Sequence, residues 1–486
     1  MFKKIENHPR FDFGYTFEVD IDPNNRWVKL SKMIPWKTIE ERYADNFKKL
    51  KGRKAKPIRV ALGALIIQQK CGFTDQETVD QITENPYLQY FIGLTEYQKK
   101  PPFDPSLMVH FRKRFTPEML AEINTEIISG NNDDGDDPPP GGKKAEAQKP
   151  GGDPFVKYPP NKGKLILDAT CAPADIRYPM DLSLLNEARE KLDNMIDLAH
   201  SALGKPSKRP RTYRRKARRA FLKMIRNKKP KRKPMRKAIG QQLRFVKRNR
   251  DALARLLDKA AGNRILSPRQ LEALATIDKL YMQQLTMYKD RTHHVENRIV
   301  SISQPHVRPI VRGKSGVPVE FGAKVAISVV DGFAHIEKLS WEAFNESTTF
   351  IDSVESYRRR YGCYPEAVQA DKIYRTRLNF LYCEGRGIRL SGPRLGRPPT
   401  DEARQREQLR LERLDNRERN TVEGKFGEGK RRYGMDLIMA KLQNTAECVI
   451  WLQIMVMNME RRLRIFMLIF LQRIFVRNLA SKLIAA

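Results

Sequence analysis

The chain has 486 residues, which is enough for two to four domains with a sizeable core. Its 92 Lys and Arg against 57 Asp and Glu give a formal net charge of +35, which argues against an ordinary neutral enzyme and favours a polyanionic partner, either nucleic acid or an anionic membrane. The 40% of apolar residues excludes global disorder, and five scattered cysteines without a CxxC pair form no zinc signature and fit a reducing cytosol.

Residues 1–129 carry the pattern of several short helices and predict an all-α N-terminal domain. Thr74 and Glu77 form a capping-box pair that opens one of these helices. The basic run His110–Arg114 is typical of a helix-turn-helix-like module that contacts DNA. A helical scaffold with solvated basic side chains is the alternative.

Residues 130–163 are dense in Gly, Pro and charge and predict a flexible linker. The segment LILDAT, Leu165–Thr170, follows as a short apolar strand that delivers Asp168 at its end. We therefore expect a second domain over residues 164–450.

Helical patterning dominates an insertion at about residues 183–297. Its segment Gly204–Arg250 holds 10 Lys and 12 Arg without any Asp or Glu, a density that neutralises backbone phosphate without specifying sequence. A merely solvated charged face is the weaker alternative, because an all-basic stretch repels itself. The DNA-contact candidates here are Arg214, Arg215, Arg218, Arg219, Lys231 and Arg232.

Strand signals return after the insertion. RIVSISQ (298–304) predicts one strand, and Val319–Trp341 predicts two strands joined at the hairpin dipeptide Asp331–Gly332. A helix near Phe350–Tyr361 leads to AVQADKIY, a short strand with Asp371 at its end.

The stretch Arg419–Gly434, RNTVEGKFGEGKRRYG, places Glu423 among several cations. On a helix, Arg419, Glu423 and Lys430 return to roughly the same face. A plain surface salt bridge would explain this pattern by itself. Two Asp from strands plus one Glu from a later helix would instead suit a two-metal phosphodiester site.

Residues 451–486 predict a C-terminal amphipathic helix. Its apolar run Ile465–Val476 is too short to span a bilayer and is flanked and interrupted by arginines. Packing on the protein or on a second subunit is favoured over a helix lying on a membrane surface.

The three acidic motifs, in this order, resemble the bacterial insertion-sequence transposases with an RNase H-like DDE catalytic domain. The family's third motif has a Tyr, an Arg, the Glu and a Lys at spacings of two, three and six intervening residues. Arg419, Glu423 and Lys430 fit that spacing, whereas Asn416 occupies the Tyr position. The departure leaves the acidic triad intact.

The resemblance implies an α/β fold: an RNase H-like mixed sheet flanked by helices, with a large helical basic insertion, preceded by the all-α domain. It implies that Asp168, Asp371 and Glu423 are catalytic and bind two Mg²⁺ ions, which Mn²⁺ can replace. Further phosphate contacts would come from Arg419, Lys430, Lys372 and Arg375.

The implied function is a DNA transposase that binds the terminal inverted repeats of its element, hydrolyses phosphodiesters and joins the 3′-hydroxyl to target DNA. Its partner is double-stranded DNA, on which a homodimer is expected, with no membrane; the site of action is the bacterial cytoplasm at the nucleoid. The alternatives are an RNase H-like nuclease without joining activity and a catalytically silent basic DNA-binding protein.

Overall fold

The computed structural model describes residues 21–47, 55–129, 159–204, 208–227, 229–260, 265–311, 319–392 and 401–484. Contacts divide the chain into two compact units. We call Met1–Ala172, Lys324–Leu339 and Phe344–Ala486 the sheet unit, and Pro173–Ala323 with Ser340–Ala343 the insertion unit. The predicted linker lies outside the described residues as far as residue 158. The predicted domain boundaries stay a prediction.

Seven helices open the described part of the sheet unit. They are α1 (Arg26–Met33), α2 (Trp36–Phe47), α3 (Ile58–Cys71), α4 (Asp75–Glu84), α5 (Pro86–Phe91), α6 (Leu107–Arg114) and α7 (Pro117–Ser129). Gly72 ends α3 in the left-handed conformation, and the Thr74–Glu77 capping box begins α4 as predicted. Local capping residues therefore set these helix boundaries.

Six strands form one mixed sheet, in the order β2-β3-β1-β5-β6 with β4 also paired to β3. The strands are β1 (Lys164–Pro173), β2 (Arg308–Val311), β3 (Val319–Val330), β4 (Phe333–Ser340), β5 (Ala367–Ala370) and β6 (Arg389–Leu390). β1, β5 and β6 run parallel, whereas β2 pairs antiparallel with the start of β3. Asp331 and Gly332, both at positive φ, turn β3 into β4 as predicted. The chain is thus an α/β protein with many helices.

A hydrophobic core lies between the parallel strands and two helices, α12 (Phe350–Tyr361) and α13 (Arg377–Glu384). Leu165 and Leu167 of β1 contribute to this core together with Phe350 and Val354 of α12. Burial of these side chains fixes which face of each strand points inward. The helix predicted at Phe350–Tyr361 is confirmed.

Two long helices complete the sheet unit, α14 (Glu402–Arg432) and α15 (Gln443–Ile484). α15 packs against α1, α3, α6 and α7. Nearly every side chain of residues 450–459 is buried, so this part of α15 is a core helix surrounded by protein. In the described part of the chain, no helix combines the length and apolar character needed to cross a membrane.

A buried amide cluster joins α7, β4 and α15. Asn458 donates to the Asn124 side chain (2.8 Å) and to the Ala334 carbonyl (2.7 Å), and it accepts from the Ala334 amide (2.9 Å). Both asparagines are fully buried. Because buried polar groups need partners, this cluster defines one relative position of the two helices and the strand.

The described residues of the insertion unit form four helices: α8 (Asp181–Ala202), α9 (Arg214–Ile225), α10 (Arg232–Asp258) and α11 (Pro268–Asp290). The strand predicted at residues 298–304 is wrong, because this segment is irregular. Its apolar side chains Ile299 and Ile302 pack into the helical core, and the Ile299 amide donates to the Gln283 side chain. The alternation that predicted a strand reflects burial against helices.

Candidate active site and basic surface

Asp168 and Asp371 follow directly on the last paired residues of two neighbouring parallel strands. β1 pairs with β5 from Lys164↔Ala367 to Leu167↔Ala370, so the two acids come next on each strand. Neighbouring strands lie about 4.8 Å apart. The sheet therefore brings Asp168 and Asp371 together. The prediction that Asp168 ends its strand is wrong, because β1 continues to Pro173.

Asp371 directly follows β5 and is the N-cap of a short 3₁₀ turn, Lys372–Tyr374. Its Oδ1 accepts the Lys372 amide at 2.7 Å. Tyr374 is buried below this turn, while the Asp371 side chain is 57% exposed. The turn therefore holds the carboxylate at the surface, where it can meet another ligand.

Polar contacts attach α14 to the edge of the sheet. Arg389 of β6 donates to both Asp415 oxygens at 2.5 and 2.8 Å, and the buried Gln369 of β5 donates to Asp415 at 3.1 Å. One turn later, Glu418 accepts Lys164 of β1 at 2.7 Å and also accepts Gln369. These bonds set both the position and the rotation of α14.

That rotation directs Arg419 and Glu423 toward Asp371. Arg419 Nη1 lies 3.7 Å from Asp371 Oδ1, and its Nη2 lies 4.0 Å from Glu423 Oε1. The Arg419 side chain is 23% exposed and that of Glu423 is 61% exposed. The guanidinium thus separates two of the three predicted catalytic carboxylates.

The site contains an unusually basic carboxylate. The pKa of Asp168 is raised to about 6, first because burial penalises its charged form and then because Glu346 and Asp371 are like charges nearby, against the lowering effect of Arg419. Repulsion by the neighbouring carboxylates is the smaller cause of this raised pKa. Burial is the larger cause.

Glu346 is a fourth acid of this site that the sequence reasoning missed. It starts a short 3₁₀ turn before α12, and Lys324 of β3 contacts it at 2.9 Å. No sequence motif surrounds Glu346. Finding Glu346 from the sequence would have required knowing how β3 pairs with β1.

The other cations predicted beside the acids differ in their surroundings. Lys372 is exposed, Lys430 is half-buried, and the Arg375 guanidinium lies over the Phe380 ring at 5.6 Å from its centroid. Glu428 pairs with two cations: Lys425 lies 3.3 Å from its carboxylate, and Arg464 of α15 lies 2.7 Å from it. Lys425 therefore belongs to the packing of α14 on α15.

The basic candidates of the insertion unit fall into two groups. Arg214 contacts Asp197 at 2.8 Å and so stabilises α9 against α8. Arg215, Arg218 and Arg219 lie on the opposite side of α9 from its buried Ala217 and Phe221. With Leu222, Lys223 and Arg226 they line an open concavity of about 570 Å³.

Lys231 and Arg232, at the start of α10, are exposed. Two arginines of α10 stack on aromatic rings of the neighbouring helices. Arg248 lies 4.6 Å from the centroid of the Tyr213 ring at the N-cap of α9, and Arg236 lies 4.2 Å from that of the Tyr288 ring on α11. The insertion unit thus presents fixed positive charge on folded helices.

The donor set suits a hard divalent ion, although its carboxylates are spread out. Among the described residues, no group of three or more His, Cys, Asp or Glu is close enough to hold a metal. Asp168 and Asp371 nevertheless offer neighbouring carboxylates, and Mg²⁺ prefers such ligands. A divalent cation would also stabilise the charged form of the half-buried Asp168 carboxylate.

Comparison with known proteins gives two family matches. The transposase DDE domain family matches residues 368–460, which include Asp371, Arg419 and Glu423. A transposase domain family (DUF772) matches residues 15–114 in the N-terminal helices. Asp168 lies outside both matched ranges.

The uncharacterized protein ORF8 in the nfe locus of Rhizobium meliloti is 33% identical over 103 residues. This match covers 21% of the present chain and 49% of that protein, so the chain spans about half the length of its relative. No solved structure matches the chain. Two transposase domain families matched at separate stretches of one chain indicate an insertion-sequence transposase.

Proposed function

We propose that this protein binds the terminal inverted repeats of its own element, hydrolyses phosphodiester bonds there and transfers the freed 3′ end to target DNA. The observation that carries the proposal is the placement of Asp168 and Asp371 side by side on β1 and after β5, with Arg419 of α14 linking Asp371 to Glu423. Double-stranded DNA is the partner, two copies act together on paired ends, and the work takes place at the nucleoid in the cytoplasm.

The proposed catalytic fold is RNase H-like. The strand order β4-β3-β1-β5-β6 supports it, with β3 and β4 forming a hairpin and β5 and β6 following parallel to β1. In this arrangement an acid on the central strand, an acid after the next parallel strand and an acid on a covering helix share one edge. Asp168, Asp371 and Glu423 occupy these three positions.

Asp168, Asp371 and Glu423 would hold two Mg²⁺ or Mn²⁺ ions. Such ions activate a water or hydroxyl nucleophile and stabilise the leaving oxygen. Lys372 lies next to Asp371, and Lys430 lies two helical turns beyond Glu423 on α14. Both are suited to bind the phosphates that flank the scissile bond.

The test compares wild type, Asp371→Asn and Glu423→Gln on labelled element-end DNA with Mg²⁺ or with EDTA. Both substitutions should reduce nicking at least about a hundredfold, because each removes a direct metal ligand. Glu402→Gln is the matched control, since Glu402 is an exposed glutamate on the same helix that pairs with Arg406. Strand-transfer products should appear with wild type and Glu402→Gln alone.

Two results would change the proposal. Mg²⁺-dependent nicking without joined products would favour the nuclease alternative. Tight, salt-sensitive binding with no cleavage by wild type would favour a DNA-binding protein without catalytic activity.

We also propose that α9 binds the DNA backbone. Replacing Arg215, Arg218 and Arg219 together by alanine should reduce the slope of log Kobs against log salt by about 3, because each phosphate contact contributes about 0.9. Replacing Arg406, Arg410 and Arg413 of α14 makes the same charge change elsewhere. Equal effects of the two triple variants would argue against a specific role for α9.

A further inference from the structure

We propose that the positively charged guanidinium of Arg419 lies between Asp371 and Glu423 when no metal is bound, and that it competes with the divalent ion for these carboxylates. This inference rests on the proposed function, because it concerns the metal ligands of that site. It assigns to Arg419 a positioning role that precedes any contact with DNA.

The geometry of Arg419 is that of a bridge. One guanidinium nitrogen faces Asp371 at 3.7 Å and the other faces Glu423 at 4.0 Å. Both distances exceed the 2.7–2.9 Å of a charge-assisted hydrogen bond. The guanidinium is therefore held mainly by charge, and little bonding has to be broken to displace it.

A bridging guanidinium and a bound metal ion cannot both keep these positions at low cost. Mg²⁺ coordinates carboxylate oxygens at about 2.0–2.1 Å, closer than Arg419 comes to either acid. An ion coordinated by either of these acids would lie roughly 5 Å from the guanidinium in its present position. At that distance a +2 ion and a +1 group repel each other even at the dielectric constant of water.

The surroundings of Arg419 explain why the protein would keep such a residue. Without metal, Asp168, Asp371 and Glu346 would repel one another, and the charge of Arg419 reaches Asp168 as well as Asp371 and Glu423. The mostly buried stem of Arg419 is fixed by α14, whose anchors Asp415 and Glu418 lie within one turn. Arg419 thus holds the acids of the sheet and of the helix together before metal arrives.

The test is Mn²⁺ binding by the full-length protein without DNA, followed by the electron paramagnetic resonance signal of free Mn²⁺. Arg419→Gln removes the competing charge and should tighten Mn²⁺ binding by roughly three- to tenfold, since two charges about 5 Å apart interact appreciably even in water. Arg419→Lys keeps the charge and should remain near the wild-type affinity.

Arg413→Gln is the matched control, because Arg413 is an exposed arginine on the same helix and its loss changes the net charge equally. It should leave the affinity within about 1.5-fold of wild type. Wild-type or weaker Mn²⁺ binding by Arg419→Gln would overturn the inference, as would equal tightening in both glutamine variants.

The two proposals fail in distinguishable ways. Tighter Mn²⁺ binding by Arg419→Gln without any DNA cleavage by wild type would support the competition and refute the transposase chemistry. Mg²⁺-dependent cleavage by wild type with unchanged Mn²⁺ affinity in Arg419→Gln would support the proposed chemistry and refute the competition. Absence of Mn²⁺ binding in both proteins would refute the competition.

Discussion

Replacing Asp415 by alanine should loosen α14 from the sheet. The substitution removes two hydrogen bonds from Arg389 and one from the buried Gln369. Arg389 is 41% exposed and can be hydrated, and Gln369 keeps its bond to Glu418, so each lost bond contributes only about 1 kcal/mol. Alanine favours the helix by about 0.5 kcal/mol more than aspartate. The net loss of local stability is about 2.5 kcal/mol.

Native-state hydrogen exchange measures this loss where it occurs. A loss of about 2.5 kcal/mol corresponds to roughly 60-fold faster exchange of amides in the middle of α14, since about 1.4 kcal/mol is a factor of ten. Asp415→Asn keeps the side-chain volume and part of the hydrogen bonding, and it should give a smaller effect. The amides of α4, which the anchor does not touch, should exchange at unchanged rates.

Arg406→Ala is the control on the same helix. It removes an ion pair with Glu402 in which both side chains are about 80% exposed. Such pairs contribute about 0.5 kcal/mol or less, so exchange should rise no more than about twofold. The reasoning about the anchor is refuted if Asp415→Ala accelerates exchange in α14 no more than Arg406→Ala does.

Three further substitutions test other features. The pKa of the buried His335 is lowered to about 3, mainly by burial. The unfolded chain therefore takes up a proton that the folded chain does not as pH falls below about 6.5, and the folded state loses stability. Between pH 7.5 and 5 the free energy of unfolding, measured in urea, should fall by about 2 kcal/mol more in wild type than in His335→Gln. Asn458→Ala should cost about 3 kcal/mol, because it removes the donor to the Asn124 side-chain oxygen and the acceptor of the Ala334 amide. The exposed Gln443→Ala on the same helix should change the free energy of unfolding by less than about 0.5 kcal/mol. Gly332→Ala should lower the thermal midpoint at a cost of about 1–2 kcal/mol, because φ is +78° there; an unchanged midpoint would contradict this.

Local signals in the sequence predicted local structure well. The capping box at Thr74, the hairpin at Asp331–Gly332 and the helix Phe350–Tyr361 are each encoded within a few residues, and each is confirmed. The three acids could be named because each lies in its own short motif. None of these inferences required knowledge of which strands are neighbours.

Long-range packing limited the remaining inferences. Glu346 has no motif of its own, and its effect on Asp168 depends on how the chain before α12 folds back toward β1. The Arg389–Asp415 pair joins residues 26 positions apart on different elements. The segment 298–304 has the alternation of a strand, yet Ile299 and Ile302 pack against helices. Periodicity reports burial and does not identify the partner.

The amide cluster of Asn124, Ala334 and Asn458 has a consequence for the order of folding. Asn124 and Asn458 are separated by 334 residues in the sequence. At about 5–20 residues per second of synthesis, roughly 17 to 67 s pass between translation of the two residues. During this interval the apolar faces of α1, α3, α6 and α7 that receive α15 have no partner. The nascent chain is therefore most prone to aggregation, and most dependent on chaperones, before α15 is made.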